Sequence, residues 1–282
     1  MAFATKSVKR SLMKLKYFMF ASIMSLGFAQ GSLAAPTDTV LEPISSVTIS
    51  MQRMLRSIDG QYFLSLYAGK WNPHGTLFNL QTQKAVSFEG LQKGNQINLK
   101  SFDPEVGDAA NGLYQIDAHL NANTGYMTAT LADRSQHSSV FLNFEPAVKV
   151  ENRPAFIFKF YGKTDPETHA TLIQRVDVIN KLNNQKVQQL DGFSAFSYSV
   201  DYKDINFDGY FDLVLGDASN QQKVEDNRYI YWIYNPKTKQ FQHSPQLDRI
   251  KGFAHLDGVN QQINFGEGRI YQVENGLLKA LP

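Results

Sequence analysis

The stretch GLYQIDAHLNANTGYMTATL, residues 112–131, decides the fold class of this chain. From Gly112 to Ala118 apolar and polar side chains alternate, which is typical of a β-strand with one buried face. The turn sequence Asn-Thr-Gly at 123–125 follows, and a second such run extends from Tyr126 to Leu131. The pattern predicts two antiparallel strands joined as a hairpin.

Short runs of the same kind, separated by turn signals, continue in both directions along the chain. They predict an all-β fold in which an antiparallel meander forms a barrel or a sandwich. Helical periodicity is weak, and only residues 49–58 and 244–250 are predicted as short helices. The predicted strands include residues 62–67, 76–80, 85–90, 96–99 and 140–144, and then 155–161, 212–216, 228–234, 262–265 and 269–273.

Residues 144–154 contain two prolines and form the likeliest internal boundary. They divide the chain into an N-terminal β-meander, residues 35–150, and a C-terminal β region, residues 151–282. The two regions are interpreted either as separate units or as one continuous domain.

The first 34 residues have the pattern of a secretory signal peptide. Five Lys or Arg side chains precede an apolar run of 12 residues, Tyr17 to Phe28, which is too short for a bilayer that needs about 20. Ser32 and Ala34 have the small side chains that signal peptidase requires, so we predict cleavage near Ala34. The expected location is the periplasm, with no stable membrane anchor.

The charge balance changes when the signal is removed. The whole chain has 28 basic and 26 acidic residues, and the signal holds five of the basic ones and no acidic one. The mature part therefore has 23 basic and 26 acidic residues, a net charge of −3. This balance argues against nucleic acid as a partner, and the absence of cysteine excludes disulfides and thiolate metal sites.

One motif suits metal chemistry, the loop DINFDGYFD at residues 204–212. Hard cations such as calcium take six to eight oxygen ligands, and alternate residues of a tight loop can direct oxygens inward. Gly209 permits the sharp turn. Leu215 stands where a helix–loop–helix calcium site has a bidentate Glu, so Asp212 must replace that ligand. The predicted calcium ligands are Asp204, Asn206, Asp208, Asp212 and the backbone carbonyl of Tyr210.

The alternatives for this loop are a metal-free turn capped by Asp and Asn side chains, or another cation. Three unpaired carboxylates within nine residues repel one another, which favours a cation. The ligand set consists of protein oxygens alone, so the predicted role of calcium is structural.

No motif for a nucleophile, a metalloprotease or a phosphate-binding loop is present, and no catalytic residue is predicted. Asp257 and Glu267 could form the carboxylate pair of a glycan hydrolase, but each lies beside a glycine in a turn-like segment typical of solvated acids. We therefore expect a binding protein rather than an enzyme.

Two aromatic stretches are candidates for a partner-binding surface. The first is the loop around Trp71, and the second is the Ser- and aromatic-rich stretch at 192–198. Core-facing aromatics beside turns are the alternative for both. The candidate contact residues are Trp71, Phe193, Ser194, Phe196 and Tyr198.

Residues 200–250 resemble a family of periplasmic calcium-binding immunity proteins, which protect bacteria against peptidoglycan-hydrolase toxins delivered by killing secretion systems. The resemblance rests on three ordered segments: the calcium loop at 204–213, the aromatic segment YIYWIYNPKTKQF at 229–241, and HSPQL at 243–247. It covers about a fifth of the chain. Members of the family commonly carry a lipidated cysteine, which this sequence lacks.

The resemblance implies an all-β protein that binds and blocks a lysozyme-like enzyme, either an effector or a lysozyme. The second hypothesis is a calcium-stabilised adhesion or scaffolding module, although such modules carry several loops and only one is found. The third is a glycan hydrolase.

Overall fold

The computed structural model describes residues 40–69, 72–103, 112–166, 169–219, 227–274 and 277–281. The predicted signal peptide at residues 1–34 and the candidate contact residue Trp71 lie outside these ranges. The fold is nearly all β, with 60% of the described residues in strands, which confirms the predicted class. Within the described residues, no helix is long and apolar enough to cross a membrane.

Eight antiparallel strands, β2 to β9, form a closed barrel. Each strand pairs with the next, and β9 returns to pair with β2 through Leu55–Pro146 and Ser57–Phe144, so the sheet has no free edge there. The strands are β2 Ile49–Ser57, β3 Tyr62–Ala68, β4 His74–Asn79, β5 Lys84–Lys93, β6 Gln96–Phe102, β7 Tyr114–Leu120, β8 Met127–Asp133 and β9 Ser138–Pro146.

The alternation of apolar and polar residues seen in the sequence places the apolar side chains inside the barrel. Along β6, Ile97 and Leu99 are buried while Gln96 and Asn98 are exposed, since successive side chains point to opposite faces. The interior of the barrel is a single cluster of aliphatic residues with Phe88 and Phe144.

A second set of strands extends the same sheet beyond the barrel. Strand β12 pairs antiparallel with β11 and β13, and its residues Val200–Tyr202 pair in parallel with Ile49–Met51 of β2. This set encloses its own apolar core, which includes Phe160, Val176 and Phe241. Its strands are β1 Glu42–Ile44, β10 Phe156–Thr164, β11 Thr171–Asn180, β12 Lys186–Lys203, β13 Asp212–Asp217, β14 Tyr229–Asn235 and β15 Gln240–His243.

A small four-stranded sheet and one helical turn cover the outer side of β13 and β14. Val214 of β13 and Tyr231 of β14 pack with Leu247, Ile263 and other residues of this layer to form a third core. The elements are α1 Pro245–Asp248, β16 His255–Asp257, β17 Gln262–Asn264, β18 Ile270–Glu274 and β19 Leu277–Ala280.

The predicted helix at 49–58 is wrong, because this segment forms β2. Its Met, Gln, Arg and Leu residues are good helix formers, which is why the local pattern was ambiguous. Pairing with β3 along one edge and with β9 and β12 along the other overrides that propensity. The short helix predicted at 244–250 corresponds to α1.

A buried lysine joins β12 to the third core. Lys203 is fully buried, and its ammonium donates a hydrogen bond to the carbonyl of Ala254 (3.1 Å) and lies 3.8 Å from the ring centroid of Phe253. Asp201 is its ion-pair partner at 3.6 Å. Burial lowers the pKa of Lys203 to about 8, although the Asp201 carboxylate opposes that shift.

Because the pKa of Lys203 is lower in the folded state, the unfolded chain binds more protons between pH 8 and pH 10.5. We expect the free energy of unfolding to rise with pH through this window, by up to about 3 kcal/mol. Urea titrations from pH 7.5 to pH 10 measure the rise. Lys203→Met keeps the packed stem but leaves the Asp201 carboxylate without its ion-pair partner, so it should remove the slope and be less stable than the wild type. An equal slope in this variant would contradict the assignment to Lys203.

Strands β5 and β6 of the barrel approach each other closely at Gly90. A Cβ atom at Gly90 would lie 1.9 Å from the carbonyl oxygen of Asn98 on β6, so the backbone would have to move. We expect Gly90→Ala to lower the free energy of unfolding by about 3 kcal/mol. Gly94→Ala is the control, because Gly94 has open space and a φ of +61°, where alanine costs only about 1 kcal/mol. Equal losses in the two variants, measured by urea unfolding, would contradict close packing at Gly90.

Candidate metal centre

The loop at residues 204–212 connects β12 to β13 and separates its apolar from its polar side chains. Ile205 and Phe207 are buried in the third core, while the intervening Asp204, Asn206 and Asp208 belong to the polar side. Gly209 has a φ of +86°, and a Cβ there would lie 2.6 Å from Cγ1 of Val150. The turn therefore requires glycine, as the sequence predicted.

The carboxylates of Asp204 and Asp208 hold the turn together. Oδ1 and Oδ2 of Asp204 accept hydrogen bonds from the amides of Asp208 (3.0 Å) and Gly209 (2.8 Å). Asp208 accepts one from the amide of Tyr210 (2.9 Å) and one from the side-chain amide of Asn206 (3.0 Å). The predicted ligand residues at positions 204, 206 and 208 are thus brought together in one compact turn.

Asp212 links the loop to the neighbouring strand. Its side chain is fully buried, and Oδ2 accepts a hydrogen bond from the amide of Ile205 while Oδ1 accepts one from the amide of Tyr234 in β14, both at 2.8 Å. One carboxylate therefore connects the start of the loop, the start of β13 and the end of β14. The sequence did not reveal the bond to Tyr234, which lies 22 residues away.

The three carboxylates are costly to ionise in this setting. Burial first, and then the charge of Asp208, raise the pKa of Asp204 to about 7. Burial and the charge of Asp204 raise the pKa of Asp212 well above its ordinary value, and burial also raises the pKa of Asp208. The positive charge of Arg153 opposes the shifts of Asp204 and Asp208, but it does not cancel them.

The donor chemistry of the loop fits a hard cation. Each carboxylate oxygen has two lone pairs, so one amide bond per oxygen leaves a second lone pair for a metal. Asp204, Asp208 and Asp212 interact electrostatically with one another, as a shared cation would require. In the part of the chain that the structure describes, no group of three or more His, Cys, Asp or Glu side chains is already placed around one metal position.

The predicted partner-binding stretch at 192–198 is not a loop, because it lies within β12. Phe193 packs against Trp232 of β14, so it belongs to the second core. The carbonyl of Ser194 accepts a hydrogen bond from the amide of Ala218. These two residues are therefore held by the sheet.

Phe196 and Tyr198 belong to an irregular part of the same strand. Between the pairs Ala195–Asp217 and Val200–Leu215, β12 has four residues opposite one on β13, which is a bulge. The rings of Phe196 and Tyr198 stack at 5.1 Å, and Tyr198 is 76% exposed. The bulge therefore presents an aromatic pair at the surface.

The acids considered for a glycan hydrolase have local partners. Asp257 accepts hydrogen bonds from the amides of Val259 and Asn260, as in an ordinary Asx turn. Glu267 forms an ion pair with Arg269. Glu267 lies on a turn, as the sequence indicated, whereas Asp257 is the last residue of β16, immediately before a turn.

The chain matches no protein-family model and no curated protein. Two arginines, Arg53 and Arg153, lie near the loop and line one small pocket with Asp204 and Gly209. Sequence reasoning missed both arginines, because they are 100 residues apart in the chain and neither belongs to a motif.

Asp212 gives a test of the loop as a structural element. Asp212→Leu would leave two buried amides, those of Ile205 and Tyr234, without acceptors, and we expect a loss of about 2–5 kcal/mol in the free energy of unfolding. Asp217→Leu is the matched control, because that side chain accepts the exposed amide of Ser219 and no buried amide among the described residues. Chemical unfolding in the presence of a chelator measures both; a loss below 1 kcal/mol for Asp212→Leu would contradict the proposed role.

Proposed function

We propose that this protein is a periplasmic immunity protein, in which calcium stabilises the loop at 204–212 and an exposed surface of the β-sheet binds and blocks a peptidoglycan hydrolase. The observation that carries the proposal is the concentration of three mutually repelling, largely buried carboxylates in one turn, beside a strand that exposes an aromatic pair.

Calcium is the first part of the proposal. Asp204, Asn206, Asp208 and Asp212 would supply side-chain oxygens, and Tyr210 would supply its carbonyl. Burial first, and then mutual repulsion, raise the pKa values of Asp204 and Asp212, and a divalent cation would offset both effects. Since Asp212 also bonds to β14, the cation would stabilise three strands at once.

Inhibition is the second part. The three segments that carry the family resemblance are contiguous in the fold, because the loop leads into β13, β13 pairs with β14, β14 pairs with β15, and α1 packs against β14. Tyr198, backed by the partly buried ring of Phe196, provides exposed aromatic contact area of the kind that anchors many protein interfaces. These observations favour a binding protein over the adhesion module and the glycan hydrolase.

Calcium binding predicts a rise in thermal stability. Calcium at about 100 times its dissociation constant should add about 2.7 kcal/mol to the unfolding free energy of the mature protein, residues 35–282. Asp208→Asn should lose this gain, yet in chelator it should be at least as stable as the wild type, because it removes one repelling charge. Asp133→Asn is the control, since Asp133 accepts two amides in an ordinary Asx turn.

The measurement is differential scanning calorimetry with calcium, with magnesium and with chelator. A wild-type melting temperature that does not respond to millimolar calcium would contradict the calcium site. A normal calcium response in Asp208→Asn would remove Asp208 from the ligand set.

Inhibition is tested by cell-wall turbidity. The mature protein should protect peptidoglycan from one member of a panel of lysozymes and hydrolase toxins, and Tyr198→Ala should weaken this inhibition at least tenfold, as expected of an aromatic anchor. Phe141→Ala is the matched control, because Phe141 is an exposed aromatic on the outer face of the barrel. Failure to inhibit any enzyme with folded protein would favour the adhesion hypothesis, and clearing of cell walls by the protein alone would establish a hydrolase.

A further inference from the structure

A cavity of about 750 Å³ lies between the barrel and the second set of strands. Strand β1 pairs with β10, and β2 pairs with β12. The residues that connect β1 to β2 therefore run between these two pairs of strands, and they line the cavity. Strand β10 and the barrel rim at 120–123 also line the cavity. The volume falls within the range of small-molecule sites, about 300–1,000 Å³.

The walls of this cavity are mostly apolar. Ile44, Val47 and Ile49 line it from the connection between β1 and β2, and Phe156 and Phe158 line it from β10. All five side chains are only partly buried against the second core, so each keeps apolar surface available to an occupant. An apolar molecule could therefore bury surface here without displacing any part of the core.

The charged side chains that line the cavity all have the same sign. They are Arg53, Arg153, Lys159 and Lys181, and no Asp or Glu lines the cavity within the described part of the chain. This set is unusual for a protein whose mature part is predicted to have an excess of acids. The cavity is thus selective for an anion and unfavourable for a cation.

Two of these cations lie near the same aromatic ring. The guanidinium carbons of Arg53 and Arg153 lie 5.9 Å and 4.8 Å from the ring centroid of Phe211, which also lines the cavity. Arg53 is only 6% exposed, and its side chain donates to the carbonyl of Ala122 at 2.8 Å. Within the described residues, neither arginine has a carboxylate within ion-pair distance, and Nε of Arg153 is buried without a hydrogen-bond acceptor.

Arg153 donates a hydrogen bond to the carbonyl of Val148 at 3.4 Å and feels the charges of Asp204 and Asp208, but the two guanidinium groups still repel each other. An anion between them would offset that repulsion. A planar carboxylate suits this position, because each guanidinium can donate two parallel hydrogen bonds to it. The adjoining apolar walls can bury a long hydrocarbon tail on the same molecule.

We propose that this cavity binds one long-chain carboxylate anion, a free fatty acid, with its head group between Arg53 and Arg153 and its tail along Val47, Phe156 and Phe158. A neutral lipid would bring no negative charge to the two guanidinium groups, and a cationic amphiphile would be repelled by all four basic side chains. The site does not include the exposed Tyr198 of the proposed inhibitory surface, so the two proposals can fail separately.

The test uses the mature protein, residues 35–282, after extraction of bound lipid. Binding of the fluorescent fatty acid cis-parinaric acid is titrated, and palmitate, hexadecanol and hexadecyltrimethylammonium are then compared as competitors. We expect one binding site, displacement by palmitate, and at least roughly tenfold weaker competition by the alcohol and the cation, because these cannot pair with the arginines.

Variants locate the site within the fold. Arg53→Gln and Arg153→Gln should each weaken palmitate binding roughly tenfold or more, whereas Arg56→Gln, an exposed arginine on the same strand, should have no effect. Val47→Trp should block the tail site while keeping both arginines. This variant tests the site even if the Arg53 variant does not fold. Calorimetry shows that each variant is folded.

Three results would overturn the proposal. Folded protein that does not bind cis-parinaric acid would exclude a fatty-acid site. Hexadecanol competing as well as palmitate would show an apolar cavity that does not use the arginines. Unchanged palmitate affinity in Val47→Trp, or stronger binding of a lysophospholipid than of the free acid, would mean a different place or a different ligand.

Discussion

The edge of β2 that faces away from β3 is shared by two partners, and the arrangement of the molecule depends on this division. Residues 49–51 pair in parallel with β12, and residues 55–57 pair antiparallel with β9. The second pairing closes the barrel, and the first attaches the remaining strands to it. Strand β2 also contributes to all three cores, through Leu55 in the barrel, Ile49 in the second core and Met54 in the third.

The change of partner occurs at residues 52–54, and Arg53 stands in its middle. A strand edge that loses one neighbour before gaining the next has an interruption in its pairing, and Met51 and Arg53 at this interruption line the cavity. The bulge in β12 has a comparable origin, because that strand also changes its register while it serves several neighbours. Both candidate binding surfaces therefore lie where the regular pairing of the sheet is interrupted.

The all-β class could be read from the sequence, because alternation and turn residues act over a few neighbouring positions. The hairpin around residues 121–126 and the loop at 204–212 were recognisable for the same reason. Closure of the barrel through Leu55 and Pro146 was not, since it joins positions 91 residues apart without a local signal. The helix predicted at 49–58 failed because three partner strands act on a segment whose own propensity is helical. The position of Asp212 was evident, but its bond to Tyr234 depends on how β13 and β14 align.

The parallel pairing of β2 with β12 has a consequence for the order of folding. All the pairs within the barrel except its closure join strands that are consecutive in the chain, so they form across short loops. The contact between β2 and β12 spans about 150 residues, and loop-closure entropy makes such contacts slow to form. During synthesis, which begins at the N-terminus, the barrel can therefore form while the outer edge of Ile49–Met51 is still unpaired. During that interval the barrel has a short unpaired strand edge. Pairing with β12 covers this edge, and until then it can pair with a strand of another molecule.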